Sequence, residues 1–372
     1  MRIGILTLTL HNNYGGILQA YALQTVLERM GHEVVVFNRP RKEQKLRYSQ
    51  LPKRIVKKIL GRDEVIFKEW RDTKEYPVVN KSIIDFRKKY IHERLIESFD
   101  DIKESEFDCI VVGSDQVWRP RYFKEQWQAG IENAFLSFAK KWDIKRFAYG
   151  ASLGVDTWEF SKEETDNIKN AVKKFSGISV REMSAVELLR EKLNVEVLQV
   201  LDPTLLLGKE HYIDLFNASK TQLSKGNLLV YLLNPDNEKL AFVDYVAKAR
   251  CLTPYYIINS NITQKTPVEL RIRPSIETWL RGFYDAQLVV TDSFHACAFS
   301  IIFGKSFYVL GNEERGMSRI HSLCHFFSDK GNSILDSNLP SFAIYKQSKD
   351  LDYNMFHSLR NISVSFLNIM LS

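Results

Sequence analysis

The chain has 372 residues, 45% hydrophobic and 26% charged, the balance of a folded protein with material for two cores and not of a disordered segment. Its 52 Lys and Arg stand against 45 Asp and Glu, a net charge of +7, which suits anionic ligands or an anionic surface without calling for nucleic acid. Cys109, Cys251, Cys297 and Cys324 contain no CxxC spacing, which argues against a disulfide framework or structural zinc and for a reducing compartment.

The opening run, residues 2–10, is nearly all apolar and reads as a strand buried on both faces. It resembles a short signal peptide, but His11-Asn12-Asn13-Tyr14-Gly15-Gly16 stands where a small-residue cleavage site would be. No apolar stretch approaches the roughly 18 residues of a membrane span. A cytoplasmic protein is the expectation. Ile17, Ala20, Tyr21, Gln24, Leu27 and Met30 then recur at helical spacing, with Gly31 as the stop. His32–Phe37 is a second strand, so the first 40 or so residues form a parallel βαβ unit.

Residues 39–62 carry ten Lys or Arg against the single Glu43. Ile55, Val56, Ile59 and Leu60 make an apolar stripe between these cations. The pattern fits a basic amphipathic helix at a membrane surface, and equally a solvated insertion whose apolar side docks on its own domain. Tyr48 is the one base-stacking aromatic there, which disfavours single-stranded nucleic acid.

Further strands are expected at Asp108–Gly113, Arg146–Ala151, Ile178–Val180 and Val195–Val200, with Ser161-x-x-Glu164 and Ser184-x-x-Glu187 as capping boxes of intervening helices. After a polar stretch at Gly208–Gly226, a second series follows: strands at Leu228–Leu233, Tyr255–Ile258, Leu288–Thr291 and Ser306–Val309, helices at about 236–249, 275–284 and 295–303. Two such series imply an α/β protein of two doubly wound, Rossmann-like domains facing a ligand cleft. The domains expected are 1–208 and 209–349, and a last helix at 350–372 is free to pack on either.

Candidate ligand groups lie at the C-terminal ends of these strands, where open α/β sheets bind. The first βα loop, Asn12, Asn13, Tyr14, Gly15 and Gly16, suits a phosphate or sugar at a helix N-terminus. It lacks GxGxxG, and strand two ends in Asn38-Arg39 instead of an acid, so a dinucleotide is disfavoured. The same residues are also ordinary turn formers. In Gly113-Ser114-Asp115-Gln116-Val117-Trp118 the polar groups suit sugar hydroxyls and the indole a sugar face; a helix cap and a domain-seam Trp are the alternative. Arg181 offers a fork for a carboxylate or phosphate, or a surface partner for Glu182. In Thr291-Asp292-Ser293-Phe294-His295, the imidazole opens an apolar helix and suits proton transfer, or a plain structural hydrogen bond; Asp292 either orients it or caps the helix. Cys297, one turn on, gives no sign of a Cys–His nucleophilic pair. Arg315 and Arg319 add cations before a later helix. His11, His32, His321 and His325 form no metal set, and no metal is expected.

Together these landmarks resemble the polysaccharide pyruvyl transferase family. The residues that carry the resemblance are Asn12–Gln24, Gly113–Trp118, Tyr149–Gly154 with Ser152, Val180-Arg181-Glu182, Leu201-Asp202-Pro203-Thr204 and Thr291–His295. The resemblance implies a fold like the glycosyltransferase-B class, with an acceptor side in the first domain and a donor side in the second. The implied reaction moves the enolpyruvyl unit of phosphoenolpyruvate onto two hydroxyls of a cell-surface glycan or its lipid-linked precursor, forming a ketal with no metal or organic cofactor. His295 matches the family's catalytic histidine and Arg181 an anion-binding arginine. Gln19, Ser114, Asp115, Gln116, Trp118, Ser152, Asp292, Ser293 and Phe294 fall among the substrate-binding positions. One departure stands out: Ser293 occupies the place of an arginine in well-studied members, and Arg315 or Arg319 is the candidate replacement. The competing functions are a nucleotide-sugar glycosyltransferase, whose paired glutamates Glu269 and Glu277 mimic with Pro274 between them, and a glycan-binding module without turnover.

Overall fold

The computed structural model describes residues 1–41, 46–62, 65–258, 266–311, 316–327, 340–341 and 343–372. Seven parallel strands form the first sheet: β1 (Arg2–Leu6), β2 (Glu33–Asn38), β3 (Glu93–Leu95), β4 (Cys109–Val112), β5 (Lys145–Ala151), β6 (Gly177–Val180) and β7 (Leu198–Gln199), in the order β3-β2-β1-β4-β5-β6-β7. The second sheet holds β8 (Leu228–Tyr231), β9 (Pro254–Tyr256), β10 (Leu288–Thr291), β11 (Ser306–Leu310) and β12 (Ala343–Lys346), ordered β12-β11-β10-β8-β9. Among the described strands only β12 runs antiparallel, against β11. Strands β4, β8 and β10 are buried at every residue, as their unbroken apolar runs require of sheets covered on both faces.

The helices of the first half are α1 (Tyr14–Arg29), α2 (Leu51–Ile59), α3 (Lys68–Val79), α4 (Lys81–Tyr90), α5 (Pro120–Trp127), α6 (Lys162–Val172) and α7 (Met183–Leu193); those of the second are α8 (Lys209–Ala218), α9 (Asn237–Ala249), α10 (Ile276–Asp285), α11 (Phe294–Ile302), α12 (Ser318–Cys324) and α13 (Tyr353–Leu371). The order in which strands are added reverses at a central strand of each sheet: β1 lies between β2 and β4, and β8 is paired with both β10 and β9. A crevice opens at each such switch point, and the two crevices face one another. This is the glycosyltransferase-B-like arrangement of two Rossmann-like units.

Several sequence expectations shift in detail. The first strand stops at Leu6, because residues 7–13 leave the sheet to form the crevice loop. The Ser161 box closes as expected: Glu164 N–H donates to Ser161 Oγ at 3.2 Å, and Ser161 N–H to Glu164 Oε2 at 2.9 Å. Ser184 forms no box. Its helix starts earlier, after Glu182, which leaves Ser184 within the first turn. The polar stretch 208–226 contains α8, which buries Tyr212, Leu215 and Phe216.

The halves are joined by apolar contacts. Tyr14 at the start of α1 stacks on Trp279 of α10 with ring centroids 5.9 Å apart and donates its hydroxyl to Pro274 O at 2.7 Å. Helix α13 returns to the first sheet: Phe366 packs on Phe147 and Tyr149, and Leu201 N–H donates to Ser363 Oγ at 2.9 Å. Among the described residues no helix is long and apolar enough to cross a membrane.

Candidate active site

A cavity of about 350 Å³ lies between the facing crevices. Its walls include Asn12 and Asn13 from the loop after β1, Asp115 and Gln116 after β4, Leu233 after β8, and Asp292, Ser293, Phe294 and His295 after β10, with Arg319 and Arg273 completing it. Each group follows a strand's C-terminal end or heads the next helix, which is why neighbours in space come from six separate places in the chain.

At the back stands His295, the second residue of α11 and 5% exposed. Its Nε2 makes no hydrogen bond, although it lies 3.7 Å from Asp202 Oδ2. Gly15 presses on the other side of the ring: a Cβ built there would fall inside the imidazole. Tyr14, Gly15 and Gly16 thus open α1 instead of forming a loop turn, and the missing side chain of Gly15 lets α1 approach the histidine.

Behind His295 is a buried charge cluster. Arg181 Nη1 donates to Asp202 Oδ2 at 2.6 Å and Nη2 to Asp115 Oδ1 at 3.3 Å, and Arg319 Nη1 lies 3.5 Å from the same Asp115 oxygen. Both guanidinium groups lie over the Phe294 ring, at 4.6 Å and 5.5 Å from its centroid, a cation–π arrangement that also shields them from water. Burial works to raise the Asp202 carboxyl, but His295 and Arg181 outweigh it and hold it far below the ordinary carboxylate range. The same balance holds Asp115 down, through His295, Arg181 and Arg319. Burial and the neighbouring Arg181 lower Arg319 to about 10, which leaves it cationic at neutral pH. Asp115 itself has φ of +68°, a left-handed turn that Asp tolerates better than most residues and that directs its carboxylate between the two arginines.

The expected site residues thus divide. Asn12, Asn13, Asp115, Gln116, Asp292, Ser293, Phe294, His295 and Arg319 line the cavity. Arg181 does not; its fork is committed to carboxylates one layer behind, and it is no surface partner of Glu182, which is itself buried and accepts from Ser152 Oγ, Leu153 N–H and Gly154 N–H. That network also absorbs Ser152. Ser114 donates to Gly150 O at 2.8 Å and lies 3.2 Å from Asp202 Oδ2, and Gln19 Nε2 donates to Thr7 Oγ1 and Gly16 O. Tyr14 belongs to the seam with α10, while Gly16 abuts Asn13 and the Asp115 carboxylate. Trp118 is no sugar platform: it is fully buried, stacks on Phe135 at 4.6 Å and donates Nε1–H to Ala134 O at 3.0 Å. Asp292 neither orients His295 nor supplies a side-chain cap to α11; it accepts from Leu233 N–H, Asn234 N–H and Lys239 Nζ, tying the two switch-point loops of the second sheet together. Burial pushes the Cys297 thiol well above its usual range, unsuited to a nucleophile. Glu269 sits in a short 3₁₀ turn and Glu277 in α10, so they share no helix face. Arg315 lies outside the described residues.

Two residues were not anticipated. Asp202 forms the hub of the cluster; its only sequence sign was its place in Leu201-Asp202-Pro203-Thr204. Arg273 reaches the rim from the loop before α10 and donates to Asn12 O at 2.5 Å, and nothing in its local sequence marked it.

The sequence profile of the family described as polysaccharide pyruvyl transferase matches residues 13–314, a span containing every cavity-lining group except Leu8, Asn12, Gly316, Arg319 and Ile320. The chain belongs to the polysaccharide pyruvyl transferase family. No curated protein sequence matches it. Similar solved structures include UDP-GlcNAc 2-epimerase from Neisseria meningitidis bound to UDP-GlcNAc, at 10% identity over 100% of this chain and 99% of that one, with a TM-score of 0.48. Another is UGT89C1 from Arabidopsis thaliana complexed with UDP-L-rhamnose, at 9% identity over 98% and 92%, with a TM-score of 0.46. Overlaps this loose carry nothing about the reaction of a family member.

Proposed function

We propose that this transferase moves the pyruvyl unit of phosphoenolpyruvate onto two hydroxyls of a surface glycan or its lipid-linked precursor, forming a ketal and releasing phosphate. Family membership supports the reading. The observation that carries it is His295, which lines the cavity with Arg273 and Arg319 and whose buried Nε2 makes no hydrogen bond and lies 3.7 Å from Asp202 Oδ2. Such an imidazole suits proton exchange with a ligand, and two guanidinium groups suit a substrate bearing both phosphate and carboxylate.

In this reading His295 gives a proton to the enol carbon, which becomes a methyl group and leaves an oxocarbenium-like centre. A glycan hydroxyl attacks that centre and returns its proton to the imidazole. The carbon–oxygen bond to phosphate breaks, the second hydroxyl closes the ring, and its proton departs with the phosphate. No metal or organic cofactor enters this balance. Asp202 Oδ2 lies 3.7 Å from His295 Nε2 on the side away from the cavity, and Arg181 holds Asp202 in place. Arg273 fills the role left open by Ser293, because it brings a guanidinium to the same cavity from a neighbouring loop.

The test is phosphate release from phosphoenolpyruvate, dependent on added glycan acceptor, in the wild type and in His295→Ala. General acid–base loss typically costs about 10²–10⁴ in rate. Release that requires no acceptor, or that survives the substitution, would refute the assignment. Acceptor-dependent turnover with UDP- or GDP-sugars alone would instead favour glycosyl transfer.

A further inference from the structure

Helix α2 turns Arg54 inward and leaves its apolar residues, with Lys53 and Lys58, outward. Arg54 is 8% exposed and donates from Nη1 and Nη2 to the two carboxylate oxygens of Glu69 on α3, at 2.7 and 2.8 Å. Nη1 also reaches Ile66 O and Nη2 reaches Gln50 Oε1. This one arginine fastens α2 to α3, and the hydrophobic stripe is left outside. Ile59 is 78% exposed, Leu60 67% and Tyr48 75%, with Ile55, Val56, Phe67 and Trp70 also exposed. The sequence allowed these residues to dock on the parent domain; they do not.

Arg47, Lys53, Lys58, Arg62 and Lys68 are all exposed; residues 46–62 contain no acidic residue, and Asp63 and Glu64 follow them in the sequence. Isolated exposed apolar residues are commonplace, but a basic helix that leaves four apolar residues outside, followed in sequence by exposed Phe67 and Trp70, is not. The hairpin is also fixed to the cavity rim. Tyr76 of α3 donates its hydroxyl to His11 O at 3.0 Å, Arg273 N–H donates to Val79 O at 2.8 Å, and Arg271 pairs with Glu75. Helix α3 therefore links the α2 face at its N-terminal end to the loops carrying His11 and Arg273 at its C-terminal end.

We propose that the α2–α3 face docks on an anionic lipid surface, with Ile55, Val56, Ile59, Leu60, Phe67 and Trp70 entering the headgroup boundary and the surrounding lysines and arginines pairing with lipid phosphates. The commitment to lipid follows from charge complementarity. A second copy of this chain would bring one basic face against another, whereas an anionic bilayer supplies both an apolar layer and the opposite charge. The proposal deepens the transferase reading by stating how a lipid-linked acceptor meets the cavity, but its evidence is independent of the reaction.

Full-length protein is sedimented with vesicles of phosphatidylcholine alone and of phosphatidylcholine with about one-third phosphatidylglycerol, at low and at raised salt. Compared with the wild type are Ile55→Ser/Ile59→Ser, Lys53→Glu/Lys58→Glu and the control Ile362→Ser, which alters an exposed apolar residue on α13. All these sites are exposed, and circular dichroism verifies the fold. The expected result is wild-type binding to the anionic vesicles that weakens with salt, falls about tenfold or more in either double variant, and is unchanged in the control. Equal binding by wild type and double variants, or no preference for anionic vesicles, would overturn the proposal. So would a vesicle-free dimer abolished by Ile55→Ser/Ile59→Ser, which assigns the face to self-association. No substrate is present in this assay, so its failure leaves the transferase reading standing, and a failed phosphate-release assay leaves the docking face standing.

Discussion

Asp202→Asn tests the charge cluster that supports His295. The substitution keeps the shape and the Oδ1 acceptor that takes Thr204 N–H at 3.0 Å and Thr204 Oγ1–H at 2.7 Å. It replaces the Oδ2 acceptor of Arg181 with an amide that donates toward a donor. The pair is fully interior, with the side chains of Arg181 and Asp202 2% and 0% exposed, and breaking one partner of such a pair typically costs about 3–5 kcal/mol. Arg181 retains Asp115, which places the expected loss near the lower end, roughly 3 kcal/mol. The assay is urea unfolding of both proteins side by side, followed by circular dichroism and by tryptophan emission, since a chain with two sheets need not unfold in one step. The sign with pH is fixed. Folded Asp202 keeps its charge where an unfolded aspartate, with a pKa of about 3.9, takes up a proton. Its contribution is therefore complete above about pH 4 and is lost as pH falls below that. The deficit of the variant should be full near neutral pH and shrink in acid. A neutral-pH deficit below about 1 kcal/mol, or one that grows in acid, would refute the buried-pair argument.

Three further outcomes follow from single residues. Gly15→Ala puts a methyl group where the imidazole stands, so phosphate release should fall by about 10²-fold or more; an undiminished rate would mean that α1 does not pack against His295 during turnover. Trp118→Ala should cost about 3–5 kcal/mol in stability, as loss of a buried aromatic does; unchanged stability with weakened sugar binding would restore its role as a stacking platform. Arg273→Ala should weaken phosphoenolpyruvate binding by about one to two decades, the value of a charge-assisted contact of roughly 1.5–3 kcal/mol, and equal affinity by titration calorimetry would remove Arg273 as the substitute for an arginine at Ser293.

The sheets were readable because strands such as Cys109–Val112 and Leu288–Thr291 are buried on both faces and so are apolar without interruption. The loops that follow them were readable as ligand-facing for the same topological reason, which is how Asp115, Ser293 and His295 were found. What failed was the direction of side chains. Trp118 follows a strand end as a ligand-stacking residue would, yet its indole turns into the core to reach Ala134 O. Arg181 has the fork an anion needs, but Asp202, 21 positions later in sequence, claims it first. Arg273 was invisible because its loop approaches Asn12 only once the two sheets face each other. The stripe on α2 was periodic but ambiguous, and a single buried contact, Arg54 with Glu69, decides which way it points.

If this cavity holds phosphoenolpyruvate between His295 and its lining arginines, isothermal titration of phosphoenolpyruvate into the wild type and Arg319→Ala, with glycan acceptor present and absent, will show it. Saturable wild-type binding is expected, weakened by about one to two decades in the variant. Absence of wild-type binding at millimolar ligand in both conditions, or equal affinity in Arg319→Ala, would contradict it.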